Sequence, residues 1–246
     1  MSTVLTRRRY IEIVSNLPGL VGCWLADCIS GRTLIDLSGC NNHGRIVGAV
    51  KVGGEWGQAL KFDGVDDTVA CGNDESLNFE RNDSFSLFVW VYTNPGTWFG
   101  AVIAKMNPGN DYRGFDLFIS NRADCEYIRA HLINSWASGN AIAVDAKYAD
   151  NIDIREGWHY IGYTYDGSSS ANGVKIYIDG NLATMTTSED ALTDTIKTTV
   201  NFRVGSREGR HYFNGLIAEV RICARVLSAE EIRWLYELGR QFYPEV

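Results

Sequence analysis

From residue 21 to residue 222 the chain is a succession of short β-prone segments, each closed by a Gly, Asn or Asp turn. That succession restricts it to an antiparallel all-β architecture. Residues 85–92 are the clearest strand. Phe85, Leu87, Val89 and Val91 point one way, and Ser86, Phe88, Trp90 and Tyr92 the other. Large apolar groups on both faces predict a strand buried on both sides, with something packed over the sheet. Further strands are predicted at 21–25, 45–52 (with Gly48 as a bulge), 59–62, 68–71, 101–105, 115–120 and 127–133. Those at 158–165, 174–178, 201–204 and 216–222 complete the series. The Asp179-Gly180 pair is a hairpin signal.

Two helices flank this region. Residues 6–16 carry Tyr10, Ile11 and Val14 on one face and stop at Pro18-Gly19. Near the end, Ser228 and Glu231 form a capping box ahead of Ile232, Leu235 and Tyr236, with Gly239 as the stop. The division is then an N-terminal helical segment, 1–19, which either packs against the sandwich or serves as an attachment arm, and one sandwich domain, 20–246. A single sandwich of this length holds a stable core without staples.

Composition excludes several classes. A net charge of −7 disfavours phosphate backbones, so nucleic acid is not expected as a partner. No apolar run approaches the roughly 20 residues that a membrane span needs, so no membrane insertion is expected. The first residues lack the apolar stretch and small-residue cleavage site of a signal peptide, which predicts a protein made in the cytosol. In that setting the six cysteines read as reduced, with Cys23, Cys71 and Cys223 on or beside strands. The basic run Arg7-Arg8-Arg9, with Tyr10, reads either as the solvated first turn of the helix or as an assembly arm that docks on a partner.

Five phrases appear in order along the chain: F-D-G-V-D-D from Phe62, S-F-S-L-F-V-W-V from Ser84, W-H-Y-I-G-Y-T-Y-D-G from Trp158, V-K-I-Y-I-D-G from Val174 and G-L-I-A-E-V-R-I-C-A-R-V-L-S from Gly215. In this order they resemble the laminin-G-like jelly-roll family, within the concanavalin-A-like lectin/glucanase fold. The resemblance implies a two-sheet antiparallel jelly-roll sandwich with core tryptophans at Trp24, Trp90 and Trp158. It also implies one structural Ca²⁺ in the loops, for which Asp36, Asp63, Asp66 and Asp67 are the candidate ligands, with Asp27 and Asn41 as further oxygens. The family's acidic residue just before E-V-R-I is replaced here by Ala218, which removes one charged ligand. The same aspartates also serve as turn formers.

Catalysis is not expected. The E-x-D-x-x-E string of the fold's glucanases is absent, and His43, His131, His159 and His211 sit in no phrase of its polysaccharide lyases. Glycan binding needs exposed ring faces beside polar groups. Trp98, Tyr112, Trp136, Tyr148 and Tyr212 lie in polar, turn-rich segments and are the candidates, although Trp98 and Trp136 also suit edge packing or a subunit contact. The stand-alone form resembles bacteriophage virion components. This reading predicts a non-catalytic accessory protein that partners other virion proteins or itself as a homo-oligomer, and reaches a cell-surface glycan. Deleting residues 1–18 is then expected to block incorporation while the sandwich stays folded. A free-standing lectin-like module is the alternative, and a polysaccharide-active enzyme a more distant one.

Overall fold

The computed structural model describes residues 5–54, 57–96, 98–122, 125–155 and 157–243; Trp56 and the side chain of Cys125 lie outside them. In chain order the first elements are α1 (Arg7–Val14), β1 (Leu20–Ser30), β2 (Thr33–Asp36), β3 (Gly44–Val47), β4 (Val50–Gly54), β5 (Gly57–Asp63) and β6 (Thr68–Ala70). The long strands follow: β7 (Phe85–Thr93), β8 (Phe99–Asn107), β9 (Arg113–Arg122), β10 (Cys125–Ser135), β11 (Asn140–Lys147) and β12 (Trp158–Tyr165). The chain closes with β13 (Val174–Ile178), β14 (Asn181–Leu182), β15 (Thr186–Asp190), β16 (Arg203–Val204), β17 (Asn214–Cys223) and α2 (Ala229–Gly239).

The named strands pair antiparallel and form two layers, so the predicted jelly-roll sandwich is the observed fold. The first layer runs β14-β13-β12-β7-β17, with β5 beside the first half of β17 and β1 beside the second. The second runs β3-β6-β16-β8-β9-β10-β11-β15. Between them lies the main core, to which Phe85, Leu87, Val89 and Val91 contribute from β7, and Phe115, Leu117 and Ile119 from β9.

The other face of β7 is also covered, as its composition predicts. Phe88 and Trp90 join Tyr10 and Val14 of α1, Ile232, Leu235 and Tyr236 of α2, and Tyr243 in a second apolar cluster. Gly239 is required there, because a Cβ at that position would come within 2.4 Å of Trp90 Nε1. The capping box of Ser228 and Glu231 is formed, with Glu231 N donating to Ser228 Oγ and Ser228 N to the Glu231 carboxylate.

Helix α1 is thus part of the fold rather than a free arm. Tyr10 is fully buried; its hydroxyl donates to Glu219 Oε2 at 2.7 Å and accepts from Arg221 Nη2 at 2.7 Å. Arg7 is half-buried between Asp27 and the Tyr243 hydroxyl. Only Arg8 and Arg9 are exposed, each against Glu12. This burial weighs against the expectation that the sandwich keeps its fold without residues 1–18: removing Tyr10 uncovers a buried carboxylate and guanidinium.

Several local expectations differ from the structure. The 45–52 segment is two strands, not one bulged strand: Gly48, at φ +75°, turns the chain from the second layer (β3) to the first (β4). Strand β11 was not predicted, because A-I-A-V-D-A-K is rich in alanine, a weak strand former. Strand β15 was not predicted either; its T-T-S-E-D sequence is polar and mostly exposed. Cys23, Cys71 and Cys223 are buried and reduced, as expected, and Cys28 and Cys40 are also free.

Tyr10→Ala is expected to lower unfolding free energy by about 3–5 kcal/mol, the usual cost of truncating a buried aromatic. Arg8→Ala is expected to stay within about 0.5 kcal/mol. Chemical denaturation of both variants checks this, and a near-neutral Tyr10→Ala would refute the docked-helix reading.

Candidate functional site, an aromatic and arginine-lined groove

With the outer face of the first layer closed by helices, the outer face of the second is the open one. Alternation along β9 sends Phe115, Leu117 and Ile119 inward and Asp116, Phe118 and Ser120 outward. On β10 the inward set is Ile128, Ala130 and Leu132, and the outward set Tyr127, Arg129, His131 and Ile133. A small apolar cluster that includes Phe118, Ile133, Met106 and Ala141 floors the groove.

Strand register supplies the polar pairs. His131 lies directly across from Asp116 on β9, and Arg129 directly across from Asp145 on β11. His131 Nδ1 stands 2.7 Å from Asp116 Oδ1, and Arg207 Nε donates to Asp116 Oδ2 at 2.6 Å. Arg129 grips Asp145 with two N–H groups, Nη2 at 2.6 Å, while Ser188 Oγ donates to the same carboxylate at 2.7 Å. The loop between β16 and β17 delivers Arg207 and His211 over Phe118.

Two turns complete the walls. Tyr112, in the left-handed region at φ +62°, precedes β9, and Trp136 sits in the β10–β11 turn. Asp111 fastens one to the other: its carboxylate accepts from Ser135 Oγ at 2.6 Å and from Ala137 N at 3.0 Å. The result is a cavity of about 380 Å³, within the usual size of small-ligand sites. Phe99 and Arg122 line both this cavity and a neighbouring one of about 480 Å³, bordered by Trp98, Tyr212, Asp63 and Asn214, so the two adjoin at these residues.

Charge in the groove is fixed by burial. Desolvation opposes ionisation of Asp116, but Arg207 and His131 outweigh it and hold the carboxyl below its ordinary range. Desolvation likewise lowers His131 against the pull of Asp116, so the ring is neutral near pH 7, donating from Nδ1 and leaving Nε2 as an acceptor. Burial, and then the charge of Arg207, push His211 down to about 4.

Of the five aromatic candidates, Tyr112 and Trp136 line the first cavity and Trp98 and Tyr212 the second. Trp98 is half-packed, edge-on to Phe213 at 5.2 Å, with its Nε1 donating to Asn94 O. Tyr148 is corrected: it is buried in the main core, its hydroxyl donating to Asn121 Oδ1 at 2.8 Å, because its one-turn 3₁₀ helix faces inward. Sequence reasoning missed Phe118, Tyr127, Arg129, His131 and Arg207. The signal was present in Y-I-R-A-H, where alternation places Tyr127, Arg129 and His131 on one face.

The metal candidates divide. Asp63, Asp66 and Asp67 bring one carboxylate oxygen each within 4.8 Å of one another. Hard oxygen donors at this spacing suit a calcium ion, and these three residues are the ones that would hold it. Burial, and the neighbouring Asp63 and Asp66 charges, raise the Asp67 carboxyl, whose Oδ2 accepts from Asp63 N. Asp36 is corrected: it lies apart and organises its own turn, accepting from Cys23 N, Ser38 N and Asn42 N at 2.9 Å each. Ala218 is buried in the outer cluster and offers no side-chain oxygen.

The chain matches the family model Laminin_G_3, the concanavalin A-like lectin/glucanases superfamily, over residues 63–233, and belongs to that family. No curated protein matches it in sequence. Among solved structures it is similar to the binding domain of Paraclostridial Mosquitocidal Protein 1 (16% identity, TM-score 0.67), covering 89% of this chain and 52% of that one. It is also similar to domain 4 of AbnA, a GH43 extracellular arabinanase from Geobacillus stearothermophilus, in complex with arabinotriose (19% identity, TM-score 0.61, covering 88% and 98%). A third likeness is to Trypanosoma rangeli sialidase (15% identity, TM-score 0.65, covering 94% and 34%). The chain therefore spans about half of the toxin binding domain and a third of the sialidase. At these identities the likeness establishes the fold.

Because His211 is held neutral when folded but titrates near 6.5 when unfolded, the unfolded state takes up the extra proton between pH 6.5 and 4. Its contribution to stability is present above that window and is lost as pH falls through it. Thermal melts are expected to drop between pH 7 and pH 4.5, with a shallower slope in His211→Asn, a residue that tolerates the positive φ. Equal slopes would show that His211 is not the group held neutral.

Proposed function

We propose that this domain is a non-catalytic recognition module that binds a glycan chain in the groove on the outer face of the second layer. The observation that carries the reading is the arrangement of ring faces and fixed polar groups on one rigid sheet. Phe99, Tyr112, Tyr127 and Trp136 offer surfaces for the apolar faces of sugar rings, and the arginines and His131 offer hydrogen bonds to hydroxyls. Glycosidases of the carboxylate-pair kind need two carboxylates flanking the bond. Among the described residues, no carboxylate lines the first cavity, and Asp116 is taken up by Arg207 and His131. This supports binding over hydrolysis of that kind. The arabinanase domain solved with arabinotriose and the toxin binding domain add support from proteins of the same fold. The virion setting expected from the sequence gains no support from these likenesses, and the proposal does not depend on it.

Trp136→Ala is expected to weaken retention on a glycan array or affinity gel about ten-fold, the equivalent of roughly 1.4 kcal/mol. An exposed side chain costs little stability, so its melting temperature is expected to stay within about 2 °C. Undiminished retention, or an early melt, defeats this reading of Trp136. The Asp63, Asp66 and Asp67 cluster is proposed to hold the calcium implied by the family resemblance. Millimolar Ca²⁺ is then expected to raise the melting temperature by mass action, and Asp67→Asn to remove the rise. No rise in the parent protein retires the calcium site.

A further inference from the structure

We propose that the groove reads two hydroxyls of a sugar through two imidazoles of opposite polarity: Nε2 of His131 accepts a hydrogen bond from one hydroxyl, and Nε2 of His211 donates a hydrogen bond to another. The inference rests on the glycan reading and deepens it from ring contact to a defined donor and acceptor pattern.

The tautomers follow from the partners of the other ring nitrogens. Nδ1 of His131 stands 2.7 Å from Asp116 Oδ1 and 3.4 Å from Arg207 Nη2. The ionised carboxylate is the closer of the two and can only accept, so Nδ1 carries the proton and Nε2 a lone pair. His211 is the reverse. Its Nδ1 lies 3.4 Å from Arg207 Nη1, and a guanidinium can only donate. Nδ1 of His211 therefore accepts, and the proton sits on Nε2. Both rings stay uncharged near pH 7, because burial opposes the protonation of each. The Arg207–Asp116 ion pair thus sets the two rings in opposite senses.

Both Nε2 atoms are available to a ligand. Neither has a hydrogen-bond partner among the described residues, and neither is sealed from solvent. Both rings line the first cavity. Aromatic rings stand beside each: the Trp136 ring centre is 5.6 Å from that of His131, at a near-perpendicular 83°, and those of Phe99 and Tyr112 are 5.5 and 6.0 Å from that of His211. A sugar that lays its apolar face on such rings carries its hydroxyls at the edge of its own ring, where the imidazoles meet them. A hydroxyl both donates and accepts, so one ligand serves both nitrogens. An ether or carbonyl oxygen brings no proton and leaves Nε2 of His131 unmet.

The test starts with the full chain on an array of neutral oligosaccharides cut from arabinan, galactan, mannan, xylan and β-glucan. The best-retained member is then made in deoxy and deoxyfluoro forms, position by position; fluorine keeps a weak acceptor but brings no proton. At one position both replacements are expected to cut retention about ten-fold, the worth of one hydrogen bond. That hydroxyl is the donor to His131. At a second position the deoxy form is expected to lose about as much and the fluoro form clearly less, which marks the acceptor from His211. His131→Phe is expected to erase the loss at the first position and keep that at the second. If that variant does not fold, the two series on the parent protein decide. A scan that lacks either kind of position, or a first-position loss that persists in folded His131→Phe, overturns the inference while glycan binding stands. No retention of any array member overturns both.

Discussion

Everything in this molecule is arranged around a first layer that must be buried on both faces. Strand β7 carries Phe85, Leu87, Val89 and Val91 toward the second layer and Phe88 and Trp90 away from it. A sheet with two apolar faces needs two covers. The second layer is one, and the two terminal helices are the other. The cover is specific as well as apolar: under α1, Glu219 and Arg221 of β17 pair with each other, and both meet the hydroxyl of Tyr10. Losing that hydroxyl leaves buried polar groups short of a partner, which ties the N-terminal helix to the sandwich.

That burial decides which face of the sandwich is left open. Once one outer face is closed, the face open to solvent is that of the second layer, where short residues on β8 and β11 keep the floor low and aromatic side chains rise at the edges. The polar groups there are held by the strand ladder itself. Residues directly opposite on antiparallel strands are close neighbours, and the register of β9, β10 and β11 turns that rule into the His131–Asp116 and Arg129–Asp145 pairs. Sites built on strands hold their groups more precisely than sites on loops. In the first cavity Arg207, His211, Tyr112 and Trp136 arrive from turns or loops, and Asp111 fixes two of those turns to each other.

The groove joins two kinds of surface. Its first half is lined by aromatic rings and arginines, with Asp116 and Asp145 buried against Arg207 and Arg129. Its second half passes Phe99 and Arg122 toward Trp98, Tyr212 and the acidic turn at Asp63.

The sequence by itself determined the class of fold, the two-sided burial of β7, the capping box at Ser228, the reduced cysteines on strands and the presence of aromatic residues in polar turns. These are local properties: period-two alternation, turn chemistry and cap spacing act within a few residues. Four of the five aromatic candidates line the groove because a tryptophan or tyrosine in a polar turn has few reasons to be there other than an edge or a surface. Tyr148 shows the limit of that inference, since a single 3₁₀ turn rotates it inward to Asn121. What tertiary structure alone decided is which residues become neighbours. Asp116, His131 and Arg207 are far apart in sequence, as are Arg129 and Asp145, and only register and the return of the 205–213 loop bring them together. Gly48 illustrates the same point in the backbone: its glycine signal is legible as a break, but whether the chain bulges or changes layers depends on which strands are waiting on either side. Pairing partners are set by the global burial of both sheets, and no window of sequence contains that information.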